Sequence, residues 1–68
     1  MQGTLVKLKD VISYVQIMDT PYISLKKDFP IFKNGEIALS IKKNNDKIFV
    51  ITSAGQAGWI SYLVVESS

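Results

Sequence analysis

Six carboxylates, Asp10, Asp19, Asp28, Glu36, Asp46 and Glu66, are the conventional acid–base candidates in this 68-residue chain, which has neither histidine nor cysteine. Nucleophilic triads and thiol chemistry in their usual forms need one of those two residue types. Structural zinc needs thiolates or imidazoles, and no disulfide can form. The six carboxylates are scattered, mostly at strand ends and turns, where short acidic side chains initiate turns and keep a surface solvated. "NND", 44 to 46, lacks the following glycine and the distant glutamate of a calcium loop. "SAGQAG", 53 to 58, is not followed by the Gly-Lys-Ser/Thr of a phosphate-binding loop. These residue types point away from catalysis. No catalytic residue, cofactor-binding residue or metal ligand is expected.

Binding is the remaining kind of chemistry. The net formal charge is +2, and all eight basic residues are lysines. Arginine supplies the bidentate fork that reads guanine edges and anchors phosphates, so its absence weakens a sequence-reading role. A looser mode remains open, in which lysines track phosphates and aromatic rings stack bases. Lys42, Lys43 and Lys47 bracket one hairpin and are the candidate nucleic-acid contacts. Tyr14, Tyr22, Phe29, Phe32, Phe49 and Trp59 are the candidate stacking rings. Against this, exposed lysines are the ordinary solvated face and edge protection of strands.

Protein contact is the third possibility. "KIFVIT", 47 to 52, is apolar on both faces, with Ile48 and Val50 on one and Phe49 and Ile51 on the other. Only one face of a strand can line a core, so the other needs cover from a long loop or a second subunit. The β-branched pair Ile48 and Val50 suits a narrow interior, and an aromatic such as Phe49 suits an interface. Phe49, Ile51 and Trp59 are therefore the candidate protein contacts, and the expected partner is a second copy or another protein. A core of this size supplies only about 3–5 kcal/mol, and oligomerisation is the reinforcement left once disulfides and metals are absent.

The elements that position these residues read as strands. Apolar residues at helical spacing persist in no window, whereas alternation and β-branched residues dominate. "TLVKLKD", 4 to 10, places Val6 and Leu8 on one face. "SYVQIM", 13 to 18, and "YISLKK", 22 to 27, flank Asp19-Thr20-Pro21 and predict a hairpin or a long two-armed loop. Pro30 and "KNGE", 33 to 36, break the chain. "EIALSIK", 36 to 42, sets Ile37, Leu39 and Ile41 against Glu36, Ala38, Ser40 and Lys42. "KNND", 43 to 46, and "SAGQ", 53 to 56, are turns. "AGWI", 57 to 60, is a short strand, "SYL", 61 to 63, fits one 3-10 turn, and "VVE", 64 to 66, closes. Gly58 is expected to allow close strand packing at a corner, with Ile60 in the core. Trp59 either covers its own edge or meets a partner.

This order, ending in "GWISYLVVE", resembles an SH3-like barrel, in which a Gly-aromatic-aliphatic strand, a single 3-10 turn and a short closing strand recur. The match spans residues 35 to 66, and the first 34 residues fit as a strand plus that fold's long loop. The resemblance implies an all-β domain over residues 1–68. It would be a small five-stranded antiparallel barrel with a long two-armed loop after the first strand and one 3-10 turn before the last. The chain lacks the "ALYDY"-like start and third-strand tryptophan of proline-rich-peptide binders, carrying "TLVKLKDV" and Lys47-Ile48 there, so the resemblance extends to the fold and not to that groove. The start, Met1-Gln2-Gly3-Thr4, has no basic cap and apolar run, and no stretch nears the roughly 18 apolar residues of a membrane helix. A soluble, cytoplasmic protein without a membrane partner is expected. Abundant Ile, Lys and Asn, with A/T-rich codons, suggest a low-GC genome such as a marine microbe or its phage; the location would then be host cytoplasm or virion.

Overall fold

Five strands with one inward-facing side each, and a two-stranded ribbon laid over them, enclose a core of eight buried apolar residues. The computed structural model describes residues 3–22 and 24–68. In chain order the strands are β1 (Thr4–Leu8), β2 (Tyr14–Gln16), β3 (Ile31–Lys33), β4 (Ile37–Asn44), β5 (Lys47–Thr52), β6 (Ala57–Ser61) and β7 (Val65–Ser67), with a single 3-10 turn, Tyr62–Val64, before β7. The large sheet runs β6-β5-β4-β1-β7 with antiparallel pairing throughout, and β2 pairs with β3 in the ribbon. The chain is all-β, as its pattern predicts, but the two sheets do not close into a barrel.

The core follows from alternation. Val6 and Leu8 of β1, Ile48 and Val50 of β5, and Ile60 of β6 point inward, and Ile17 and Phe32 cover them from the long loop and the ribbon. Each such side chain contributes about 1.5–3 kcal/mol by leaving water. Three turns set the register. Gly35, Asn45 and Gly55 take positive φ (98°, 55° and 85°), a region that glycine and asparagine enter at low cost.

Two expectations require correction. Of the two alternatives for this stretch, the hairpin of 13–18 with 22–27 is not formed among the described residues. The strand within 13–18 pairs with β3, Val15 opposite Phe32, because Phe32 can be wholly buried there whereas Tyr22 and Leu25 lie in water. Residues 24–27 form no strand, and Ile23 lies outside the described residues. In β4 the core takes the small side, Ala38, rather than Ile37, Leu39 and Ile41. Ala38 pairs with Val6 and Ser40 with Val50, both core residues, so a small side chain fits where two neighbours already fill the layer. A bulge between Ser40 and Lys42 then sets two residues of β4 against one of β5. It brings Lys42 to the same face as Leu39, where simple alternation would separate them.

Candidate interaction surface

The outer face of the large sheet is organised in cross-strand rows. Opposed residues on adjacent strands share a face with Cβ atoms about 4.5–5.5 Å apart. One row runs Leu5, Leu39, Ile51, Ala57 across β1, β4, β5 and β6. Leu5 is 53% exposed and Ile51 39%, and Ile37, opposite Lys7 beside this row, is 43% exposed. A second row runs Lys42, Phe49, Trp59. Met18 of the long loop extends it as an isolated bridge to Trp59, exchanging two backbone hydrogen bonds of 2.9 and 2.8 Å. A third row, Asn44, Lys47, Ser61, ends the face.

The second row is locked by its own contacts. The rings of Phe49 and Trp59 meet edge to face, 5.3 Å between centroids and 70° between planes, a geometry in which the positive ring edge meets the negative face. Lys42 Nζ lies 5.3 Å from the Phe49 centroid and 5.6 Å from that of Trp59. Its ammonium thus stands over both rings, a cation–π contact shared between them. Trp59 therefore packs on its own sheet, half-buried. Gly58 explains why it can. A Cβ built on Gly58 would sit 2.5 Å from Ile17 Cγ2 and closer still to the Met18 carbonyl oxygen. The close approach expected of Gly58 is real, and its neighbour is the returning long loop.

The three lysines expected to form one patch do not share a face. Lys42 lies over the Phe49–Trp59 pair. Lys43 turns to the 3-10 turn, its Nζ 4.1 Å from the Tyr62 ring centroid. Lys47 forms an ion pair with Asp46 at 3.6 Å. All three flank the β4–β5 turn at one end of the sheet, and the Tyr62 N–H, donating to the Asp46 carbonyl (2.9 Å), ties the 3-10 turn to that hairpin. Ser61 Oγ accepts from the Leu63 N–H and caps that turn. Asn44 Nδ2 donates to the Tyr22 hydroxyl at 3.2 Å.

Of the candidate stacking rings, Phe32 is wholly buried and unavailable. Tyr62, absent from that set, stands beside Lys43. Its signal in the sequence was its place directly after the Gly-aromatic-aliphatic strand, where the 3-10 turn returns to the hairpin. Leu5 and Leu39 also join the face beside Ile51, which only the strand register reveals. Among the described residues no pocket is enclosed, no group of three or more carboxylates converges on one point, and no helix is long and apolar enough to cross a membrane. No protein-family model, curated protein or solved structure matches this chain.

Proposed function

We propose that this chain is a non-catalytic interaction module of SH3-like build that self-associates through the outer face of its large sheet. The observation that carries the reading is the row Leu5, Leu39, Ile51, with Ile37 beside it: aliphatic side chains on three adjacent strands, three of them at least 39% exposed. Several large aliphatics on one flat face mark a contact surface more often than single scattered ones do. A second copy is the favoured occupant. A two-fold contact sets the same row against itself, sheets stack face to face at about 10 Å, and a domain this small has little core of its own. Ile51 is the β5 member of this surface, with Phe49 and Trp59 along its margin. The SH3-like assignment is supported by element order: one strand, a long loop folded into two arms, three strands joined by hairpins, one 3-10 turn, and a last strand returning beside the first.

The experiment is sedimentation of the wild type and of Ile51→Asp, at low and high salt. The wild type should be heavier than a monomer and indifferent to salt. An unpaired charge in an apolar contact costs about 3–5 kcal/mol, so Ile51→Asp should weaken association by a hundredfold or more with an unchanged far-UV spectrum. A monomeric wild type at about 100 µM (weaker than any contact this face should make), or a variant as heavy as the wild type, would remove the reading.

A further inference from the structure

The formal charge of +2 is not spread over the molecule. Lys7, Lys9, Lys26, Lys27 and Lys33 are balanced by Asp10, Asp19, Asp28, Glu36 and Glu66, five against five. Between residues 42 and 47 three lysines, Lys42, Lys43 and Lys47, meet only Asp46. The whole net charge therefore resides on the β4–β5 hairpin. That hairpin is also where aromatic rings gather: Phe49 and Trp59 under Lys42, Tyr62 under Lys43, and Tyr22 joined to Asn44.

We infer that this hairpin end is a binding site for single-stranded nucleic acid. Positive charge alone would attract any phosphate. Flat rings at the same place add a preference for a ligand that carries both phosphates and planar bases, since base–aromatic stacking is favourable and indifferent to sequence. In the free protein the ammoniums of Lys42 and Lys43 rest on rings, and that of Lys47 pairs with Asp46. A phosphate that draws the ammonium away uncovers the ring face, so the two contacts reinforce one another. A duplex hides its bases within the stack, the described residues hold no α-helix for the major groove, and the chain has no arginine for base edges. Tyr62 is the principal stacking residue. It is 41% exposed and fixed to the hairpin by its bond to the Asp46 carbonyl, whereas Trp59 is half-buried.

The test is titration of the protein, followed by the fluorescence of its single tryptophan, with a thymidine 12-mer, a duplex of equal length, inorganic phosphate and anionic phospholipid vesicles. The 12-mer should change Trp59 emission. With up to three phosphates engaged, log K should fall against log salt with a slope of about −2. Lys43→Gln should lessen that slope by about 0.7. Tyr62→Leu should weaken binding about fivefold to a hundredfold with no change in slope. Both side chains are exposed, so both variants should keep the wild-type far-UV spectrum and solution mass. An unchanged emission with the 12-mer overturns the inference. So does duplex binding as tight as the 12-mer's, or saturation by phosphate alone. Binding to vesicles and not to the 12-mer would assign the hairpin to a membrane surface instead, and variants that bind like the wild type would place the site elsewhere.

Discussion

Leu5, Leu39 and Ile51 form one row on the outer sheet face, and Lys42, Phe49 and Trp59 form the next. Both carry large apolar side chains on neighbouring strands, but their cover differs. The aromatic row lies under a lysine side chain, its two rings interlock edge to face, and the long loop docks at its end. Among the described residues the aliphatic row has no such lid, and Leu5 and Ile51 are exposed. An apolar side chain on a small domain can be satisfied from within when a long amphipathic neighbour stands directly across the strand. Without one it stays open to a second molecule. The bulge at Ile41 makes this difference, because it brings Lys42 to the outer face beside Phe49.

The severest way to break the comparison is to remove the anchor of the aromatic row. Gly58→Val would push side-chain carbons into Ile17 and the Met18 carbonyl, with backbone on one side and a fully buried side chain on the other. Overpacking of this kind costs about 1–3 kcal/mol or more, most of what so small a core supplies. A thermal melt should show the variant largely unfolded or melting far below the wild type. A midpoint within a few degrees would mean that the loop does not dock on β6.

A milder change sharpens the contrast between the rows. Phe49→Asp removes one ring of the edge-to-face pair and the surface beneath Lys42, a loss of about 2 kcal/mol. Melts at concentrations where every variant is monomeric should show a drop of roughly 10 °C. Ile51→Asp, one pair further along β5, should lower the midpoint by no more than about 3 °C under the same conditions, since it acts on a face already in water. Equal drops for the two variants would mean that the rows are equally covered.

An effect smaller than that of Phe49→Asp lies at the opposite end of the molecule from the lysine hairpin. Asn34 Nδ2 donates to the carbonyls of Lys9 (2.9 Å) and Ile12 (2.8 Å), fastening the β3–β4 turn to the chain that leaves β1. These bonds are exposed, so Asn34→Ala should cost about 1 kcal/mol, read as a small shift of the denaturant midpoint with an unchanged slope. No shift would show that water replaces the amide without loss.

The inward set Val6, Leu8, Ile48, Val50 and Ile60 was legible in the sequence, since each alternates with polar or outward neighbours and hairpin turns fix the register of β5 and β6. The 3-10 turn and closing strand were legible too, to within one residue. The ribbon was not. "PIFK" is too short to announce a strand, and Phe32 shows its importance only once Val15 stands opposite. In β4 the bulky side chains drew attention to the wrong face, because the crowding that favours Ala38 comes from Val6 and Val50, distant in the chain. A bulge leaves no mark in a pattern of apolar and polar letters, so neither the arrival of Lys42 on the outer face nor the turning of Lys43 toward Tyr62 could be read in advance.

The bridge between Met18 and Trp59 closes the free edge of β6 with a single pair of residues. Among the described residues it is the only backbone link between the long loop and the large sheet, made by one pair of residues and two hydrogen bonds. Opening it requires breaking that pair and lifting Ile17 from Gly58, while the ladder of β4, β5 and β6 stays paired. Because Ile17 and the ribbon's Phe32 are fully buried core residues, the loop leaves the sheet only when the core itself opens. Loss of the bridge would leave the edge of β6 bare, a strand edge that the folded form keeps closed at Trp59.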